Sequence, residues 1–168
     1  SASHLLFKTG LQAKIKDNTN QKGTGFSPLI PDFRKWSIAG YAIAQKDWKS
    51  ILLEFGARVE KQSLFAFPII NTIPPEVLRE ERDFTNFSIS TGLKYRISET
   101  FNINFNTGLA QRSPEINELF SDGLHQGVSG IERGNFDLKP ELSLKSIISL
   151  DYKWKNKAFL NILAYHQN

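Results

Sequence analysis

The sequence contains no cysteine, no methionine and no long apolar run. Each absence excludes something. Without cysteine there can be neither disulfides nor thiolate metal sites, which is compatible with an exported protein. Without methionine there is no initiator, and the Ser1-Ala2-Ser3 start has neither the charged nor the apolar region of a signal peptide, so the chain reads as an excised segment. The longest apolar run, Leu64 to Ile70, contains Pro68 and falls far short of the ~20 residues of a transmembrane helix. A helical membrane protein is excluded.

Charge of one sign is also scarce. The formal net charge is +4, and lysines and arginines alternate with acids along the chain, so the basic stripe of a nucleic-acid binder is missing and nucleic acid is not an expected partner. Enzymatic motifs are missing too. There is no Gly-x-Ser-x-Gly, no phosphate-cradling glycine loop and no His-Glu-x-x-His, and His4, His125 and His166 lie far apart in sequence. The stretch Asp17 to Gly25 superficially suggests a calcium loop, but it lacks the intermediate acidic ligands and the closing glutamate. Neither an enzyme nor a resident cofactor is expected. With 40% apolar and 23% charged residues the chain is nevertheless not disordered, and it is long enough for one domain or part of one.

What is present is alternation. Leu5, Phe7, Leu11, Ala13 and Ile15 oppose Lys8, Gln12, Lys14 and Lys16; Ile51, Leu53, Phe55, Ala57 and Val59 oppose Glu54, Gly56, Arg58 and Glu60. Phe87 to Ile97, Phe101 to Arg112 and Leu142 to Trp154 repeat the period, and Arg34 to Gln45 and Ala158 to His166 follow it less cleanly. A period of two predicts strands with one apolar and one polar face. Seven strands of ~12 residues are expected, twice the usual globular length. The connections run long, short, long, short, long, short, centred on Asp17 to Phe33, Asp47, Leu64 to Asp83, Ser98-Glu99, Ser113 to Glu141 and Asn156. In an antiparallel meander this rhythm gathers the long loops at one end and the tight turns at the other, as in outer-membrane barrels. The predicted fold class is therefore all-β, an up-and-down antiparallel meander that forms a segment of a large barrel. Its apolar face would meet outer-membrane lipid, with Trp36, Tyr95, Tyr152 and Trp154 as interface-girdle residues. The alternative is a soluble β-sandwich with the apolar face inside.

The long segment Arg112 to Ser143 breaks the alternation. Ser113-Pro114-Glu115 is a helix-start signal and Asp122-Gly123 a stop, which predicts a short helix from Pro114 to about Ser121. Turns are expected between Gly134-Asn135 and Lys139-Pro140. The charged run Glu76 to Asp83 after Pro74-Pro75 reads as a solvated helical turn in another outer loop.

Certain residues of this segment carry a resemblance. Arg112, Pro114, Glu118, Leu119 and Phe120, then Gly134, Asn135, Leu138, Lys139, Pro140 and Glu141, resemble a stretch in the barrel of TonB-dependent outer-membrane receptors, where Arg-x-Pro and Glu-Leu-Phe precede Gly-Asn-x-x-Leu-Lys-Pro-Glu. Pro28 to Phe33 (PLIPDF) and Leu53 to Glu60 (LEFGARVE) look like that family's upstream loop and its Gly-x-Arg strand. The resemblance implies that residues 1–168 are part of a 22-stranded barrel domain whose plug and TonB-contacting segment lie outside this chain. It also implies active uptake of a scarce solute, energised through TonB. A metal complex is the first expectation, either an iron chelate of siderophore type or haem. A carbohydrate or other nutrient is the second, disfavoured because the long loops carry Phe but neither Trp nor Tyr.

In haem receptors of that family a histidine lies between an Arg-Ala-Pro and an Asn-Pro-x-Leu element. His125 lies in the analogous interval here, although the elements read Arg112-Ser113-Pro114 and Asn135-Phe136-Asp137-Leu138. Imidazole being a common metal ligand, His125 is the candidate ligand-binding and metal-ligating residue, with a solvent-facing or backbone-bonded loop histidine as the alternative. Arg112, Glu118 and Glu132 complete the candidate ligand-binding set, and together with Glu141 they are also candidates for a charge network that holds the loop base. An excised sheet would leave two free edges and an apolar face, so self-association is expected.

Overall fold

The computed structural model describes residues 4–21, 23, 28–70, 76–125, 127, 129–155 and 157–168, with the side chains of Ile70 and His125 excepted. Seven long strands form one antiparallel sheet: β1 (His4–Asn18), β2 (Asp32–Asp47), β3 (Ile51–Phe67), β6 (Glu80–Arg96), β7 (Phe101–Arg112), β10 (Glu141–Trp154) and β11 (Ala158–Gln167). Two ribbons of short strands interrupt the numbering, β4 (Ile69–Ile70) with β5 (Glu76–Val77) and β8 (Asp122–His125) with β9 (Gly130–Arg133). The sheet order is β1-β2-β3-β6-β7-β10-β11, a plain meander, so the seven expected strands and their pairing are found. Because every neighbour is antiparallel, the connections 19–31, 68–79 and 113–140 leave from one end and 48–50, 97–100 and 155–157 from the other.

Register sorts the side chains into two faces. The row Leu11, Gly40, Val59, Phe87 and the row Tyr95, Ile103, Leu150, Ile162 each run in direct partnership across the sheet on the apolar face. One residue along, Lys14 partners Ser37 and Ser37 partners Gln62; Gly92 partners Asn106 and Lys94 partners Asn104. These belong to the polar face, and one residue of slip would exchange the two faces throughout. Apolar side chains on the first face remain open, Leu11, Ile15, Phe55, Val59 and Ile162 among them, which is how a lipid-facing surface reads in the absence of lipid. Trp36, Tyr95, Tyr152 and Trp154 lie exposed on that face near strand ends, and Phe101, Tyr152 and Trp154 pack edge to face at 6.4 and 6.2 Å by the short turns.

The buried core is small and sits at the long-loop end. Phe33, Leu64 and Ala66 pack with Ile116, Leu119 and Phe120 of a single helical turn and a half, α1 (Ile116–Phe120), with Ile30 and Phe84 against them. Register places Phe33, Leu64, Ala66 and Phe84 on the polar face. That face therefore turns apolar where α1 folds down over it, while Phe65 and Phe67 continue the opposite face. This explains why Leu64 to Phe67 is apolar without interruption. β3, at 17 residues, is about 56 Å long at ~3.3 Å per residue, more than a tilted strand needs for a ~30 Å hydrocarbon layer. The surplus at the loop end is where α1 finds its seat.

Two sequence expectations need correction. The helix starts at Ile116, later than Pro114, and Glu115 is its N-cap residue where Ser113 was expected. Ser113 instead donates its hydroxyl to Asn86 Oδ1 at 2.9 Å, which ties the loop entry to β6, while the Glu118 carboxylate accepts the Glu115 amide at 2.7 Å. The run Glu76 to Asp83 is not a helical turn: Glu76–Val77 pairs in β5, and Glu80 onward is already β6, opposite Ala66. The charges there mark a strand that has left the apolar band, so both of its faces are polar.

Candidate functional site

Three segments that carried the resemblance lie far apart in sequence and meet at one place. From PLIPDF, Ile30 and Phe33 enter the core, and the Leu29 carbonyl accepts the Asp122 amide at 3.1 Å. From RSPEINELF come Leu119, 0% exposed, and Phe120. From GNFDLKPE, the Gly134 amide donates to the Ser121 carbonyl at 2.6 Å and Asn135 donates to the Glu118 carbonyl at 2.8 Å, so this stretch receives the unpaired carbonyls at the end of α1. Phe136 then stacks edge to face on Phe120 at 5.2 Å, and its carbonyl accepts the Arg82 guanidinium at 2.6 Å. The result is a loop base built from β2, β3, β6 and both ends of the 113–140 connection.

Arg112 locks this base. Its guanidinium grips Glu118 with two bonds of 3.0 Å and reaches Glu141 at 2.9 and 3.3 Å. Arg112 and Glu141 are themselves register partners, so one planar fork joins the end of β7, the start of β10 and the helix between them. The Arg112 charge, followed by the Glu115 amide, holds the Glu118 carboxyl below its ordinary pKa. From β2, three strands away from β7 in the sheet, Lys35 Nζ meets Glu115 at 3.2 Å, a second tie to the helix cap.

The four candidate site residues therefore divide. Arg112 and Glu118 are brought together as a structural clasp with Glu141. Glu132 lies half-buried on β9, opposite Gly123. His125 is the last paired residue of β8, opposite Gly130 at the tip end of the ribbon, and its side chain lies outside the described residues. The two groups are joined by chain, because β8 begins two residues after α1 ends and β9 leads directly into Gly134.

Sequence reasoning missed Gly134 as a packing residue. A Cβ there would fall within 2.5 Å of Leu119 O and Phe120 N. The signal available was the Gly-Asn pair itself, taken only as a turn.

The comparisons agree with this geometry. A family model described as TonB dependent receptor-like, beta-barrel, matches residues 5–168. Among solved structures, the chain is similar to a double mutant of the Serratia marcescens hemophore receptor HasR in complex with its hemophore HasA and haem. The TM-score is 0.81 at 16% identity, covering 98% of this chain and 30% of that one, and at that identity the likeness is one of fold. No curated protein sequence matches. The chain belongs to the β-barrel part of the TonB-dependent receptor family, whose members are outer-membrane receptors and not enzymes.

Proposed function

We propose that the receptor carrying this chain imports a metal complex, an iron chelate of siderophore type or haem, across the outer membrane with energy delivered through TonB. The observation that carries this reading is the placement of His125. It stands at the tip of a short ribbon whose base is tied by the Asp122 amide to Leu29 and by the Gly134 amide to Ser121, among the long connections at one end of the sheet. A histidine in such a ribbon suits capture of a metal centre that brings its own chelator. The HasR structure includes haem, which puts haem among the solutes to test first. Glu132, on the partner strand of the same ribbon, is the second candidate for contact with solute. Arg112 and Glu118 support the ribbon, and their own carboxylate and guanidinium are engaged with each other.

The test is uptake by cells in which this receptor is the only route for iron, supplied in turn as haem, a hydroxamate chelate, a catecholate chelate and a citrate complex. Accumulation of one of these, abolished by removal of TonB and weakened in binding at least tenfold by His125→Ala, is the expected result; tenfold corresponds to ~1.4 kcal/mol. Binding should also weaken below pH ~6.5, since a protonated imidazole has no lone pair for a metal. Uptake of a sugar with none of the metal complexes would refute the proposal.

A further inference from the structure

On the polar face, below α1, lies a cavity of about 340 Å³ whose wall includes Lys14, Lys16, Ser37, Glu60, Gln62 and Glu115. Gln62 is 5% exposed, and its Nε2 has no hydrogen-bond partner among the described residues. A buried amide donor left unpaired costs roughly 1–3 kcal/mol, so a sheet that keeps one there leaves room for an acceptor. The two wall acids are already engaged. Glu60 is clasped by Arg58 at 2.9 Å and Glu115 by Lys35 at 3.2 Å. Neither Lys14 nor Lys16 has a carboxylate within ion-pair distance among the described residues, Lys14 acting on Glu60 only at longer range; the Lys16 ammonium rests 5.8 Å over the Phe33 ring. Lys14, Ser37 and Gln62 form one row of direct register partners, which sets the Lys14 ammonium and the Gln62 amide on either side of a Ser37 hydroxyl that is given to Glu60.

We infer that this cavity is a carboxylate-binding site, with Gln62 Nε2 and the Lys14 ammonium as its donors and Lys16 receiving a second carboxylate of the same ligand. The two lysines occupy successive positions of one face of a strand, about 6.6 Å apart at ~3.3 Å per residue, a spacing suited to the two ends of a short dicarboxylate. The spacing of the two lysines favours two carboxylates held apart over a compact phosphate. The carboxylate could belong to a small solute or to an acidic side chain of another part of the receptor. The site goes beyond the import reading and does not depend on it.

The experiment titrates glutarate into the detergent-purified receptor by calorimetry. Saturable binding is expected, weakened at least fivefold by Lys14→Gln and by Gln62→Leu, unchanged by Lys46→Gln at the far end of β2, and not displaced by equimolar inorganic phosphate. Lys14 is exposed on β1, so Lys14→Gln keeps the test valid even if Gln62→Leu misfolds. Absence of glutarate binding, with carbodiimide coupling of Lys14 or Lys16 to an acid of the receptor other than Glu60 and Glu115, would assign the same site to an internal carboxylate. Neither glutarate binding nor such a cross-link, or phosphate binding as tight as glutarate, would overturn the proposal.

Discussion

Replacing Gly134 by alanine isolates the contact that closes the loop base. The backbone at Gly134 is outside the left-handed region, so alanine meets no conformational penalty there and gains a little by restricting the unfolded chain, ~0.4–1 kcal/mol. What opposes it is space. The added Cβ would come within 2.5 Å of Leu119 O and Phe120 N, and those are backbone atoms of the helix that cannot turn aside as a side chain tip would. Relief requires Gly134 to withdraw from α1, which loosens its bond to Ser121 and the neighbouring Asn135 bond to Glu118. Overpacking of this kind costs about 1–3 kcal/mol, and the two weakened bonds add to it. The expected net effect is a local destabilisation of about 1–3 kcal/mol, leaving the barrel strands intact. Hydrogen exchange of the receptor in detergent reads this directly: amides of Leu119, Ser121, Gly134 and Asn135 should exchange roughly 5- to 150-fold faster, while those of β6 and β7 keep their rates. Unchanged protection at Leu119 and Ser121 would show that the Gly134 packing does not hold the loop.

Arg112→Ala should free α1 from β10; with its partners half exposed the loss is roughly 1 kcal/mol, visible as faster exchange in α1 and as equally lowered affinity for every solute, and a selective effect on one solute would contradict its structural role. Because the folded Glu118 pKa is depressed, the stability from its clasp is present above the unfolded value near 4.3 and lost as pH falls through the lower folded one, so α1 protection should hold at pH 4.5 and decline in more acidic solution; a decline already complete at pH 5 would refute the assignment. Leu119→Ala removes a fully buried side chain from a small core and should cost ~2–5 kcal/mol of loop stability, measured by protease sensitivity of the 113–140 segment. The 168-residue chain alone, with β1 and β11 at the edges and its apolar face uncovered, should self-associate in detergent-free buffer; a stable monomer by light scattering would contradict that.

The strands that were legible in sequence are those whose two faces meet different surroundings along their whole length. Phe87 to Ile97 and Phe101 to Arg112 alternate because one face is open and apolar and the other carries Asn102, Asn104 and Asn106. β2 blurred for two local reasons. Ala39 is apolar and buried on the polar face, and Tyr41 is there because it lies across Gly10, its register partner. The start of β6 and the ribbon β8–β9 escaped notice because strands outside the apolar band lose the contrast that creates a period of two. The helix was visible, but its cap was misassigned, since Ser113 has a better partner in Asn86 than in the helix amides. Arg112 with Glu118 and Glu141 could be read as a loop-base network because their motif spacing was distinctive. Gln62 could not be read, because in sequence it is an ordinary polar member of an alternating strand, and its cross-strand partners Ser37 and Phe84 lie on two other strands.

The central claim is that these strands cross the outer membrane with the 113–140 connection outside. Single cysteines placed in this chain, which has none of its own, within a receptor in which every cysteine outside it has been replaced, are labelled on intact cells with a membrane-impermeant thiol reagent. Asn135→Cys should label from outside and Ser98→Cys should not until the cells are opened. Along β6, Phe87→Cys and Ile89→Cys should carry fluorophores quenched by brominated lipid, while Ser88→Cys and Ser90→Cys should not be quenched. Labelling of Ser98→Cys on intact cells, or quenching without the period of two, would contradict the account.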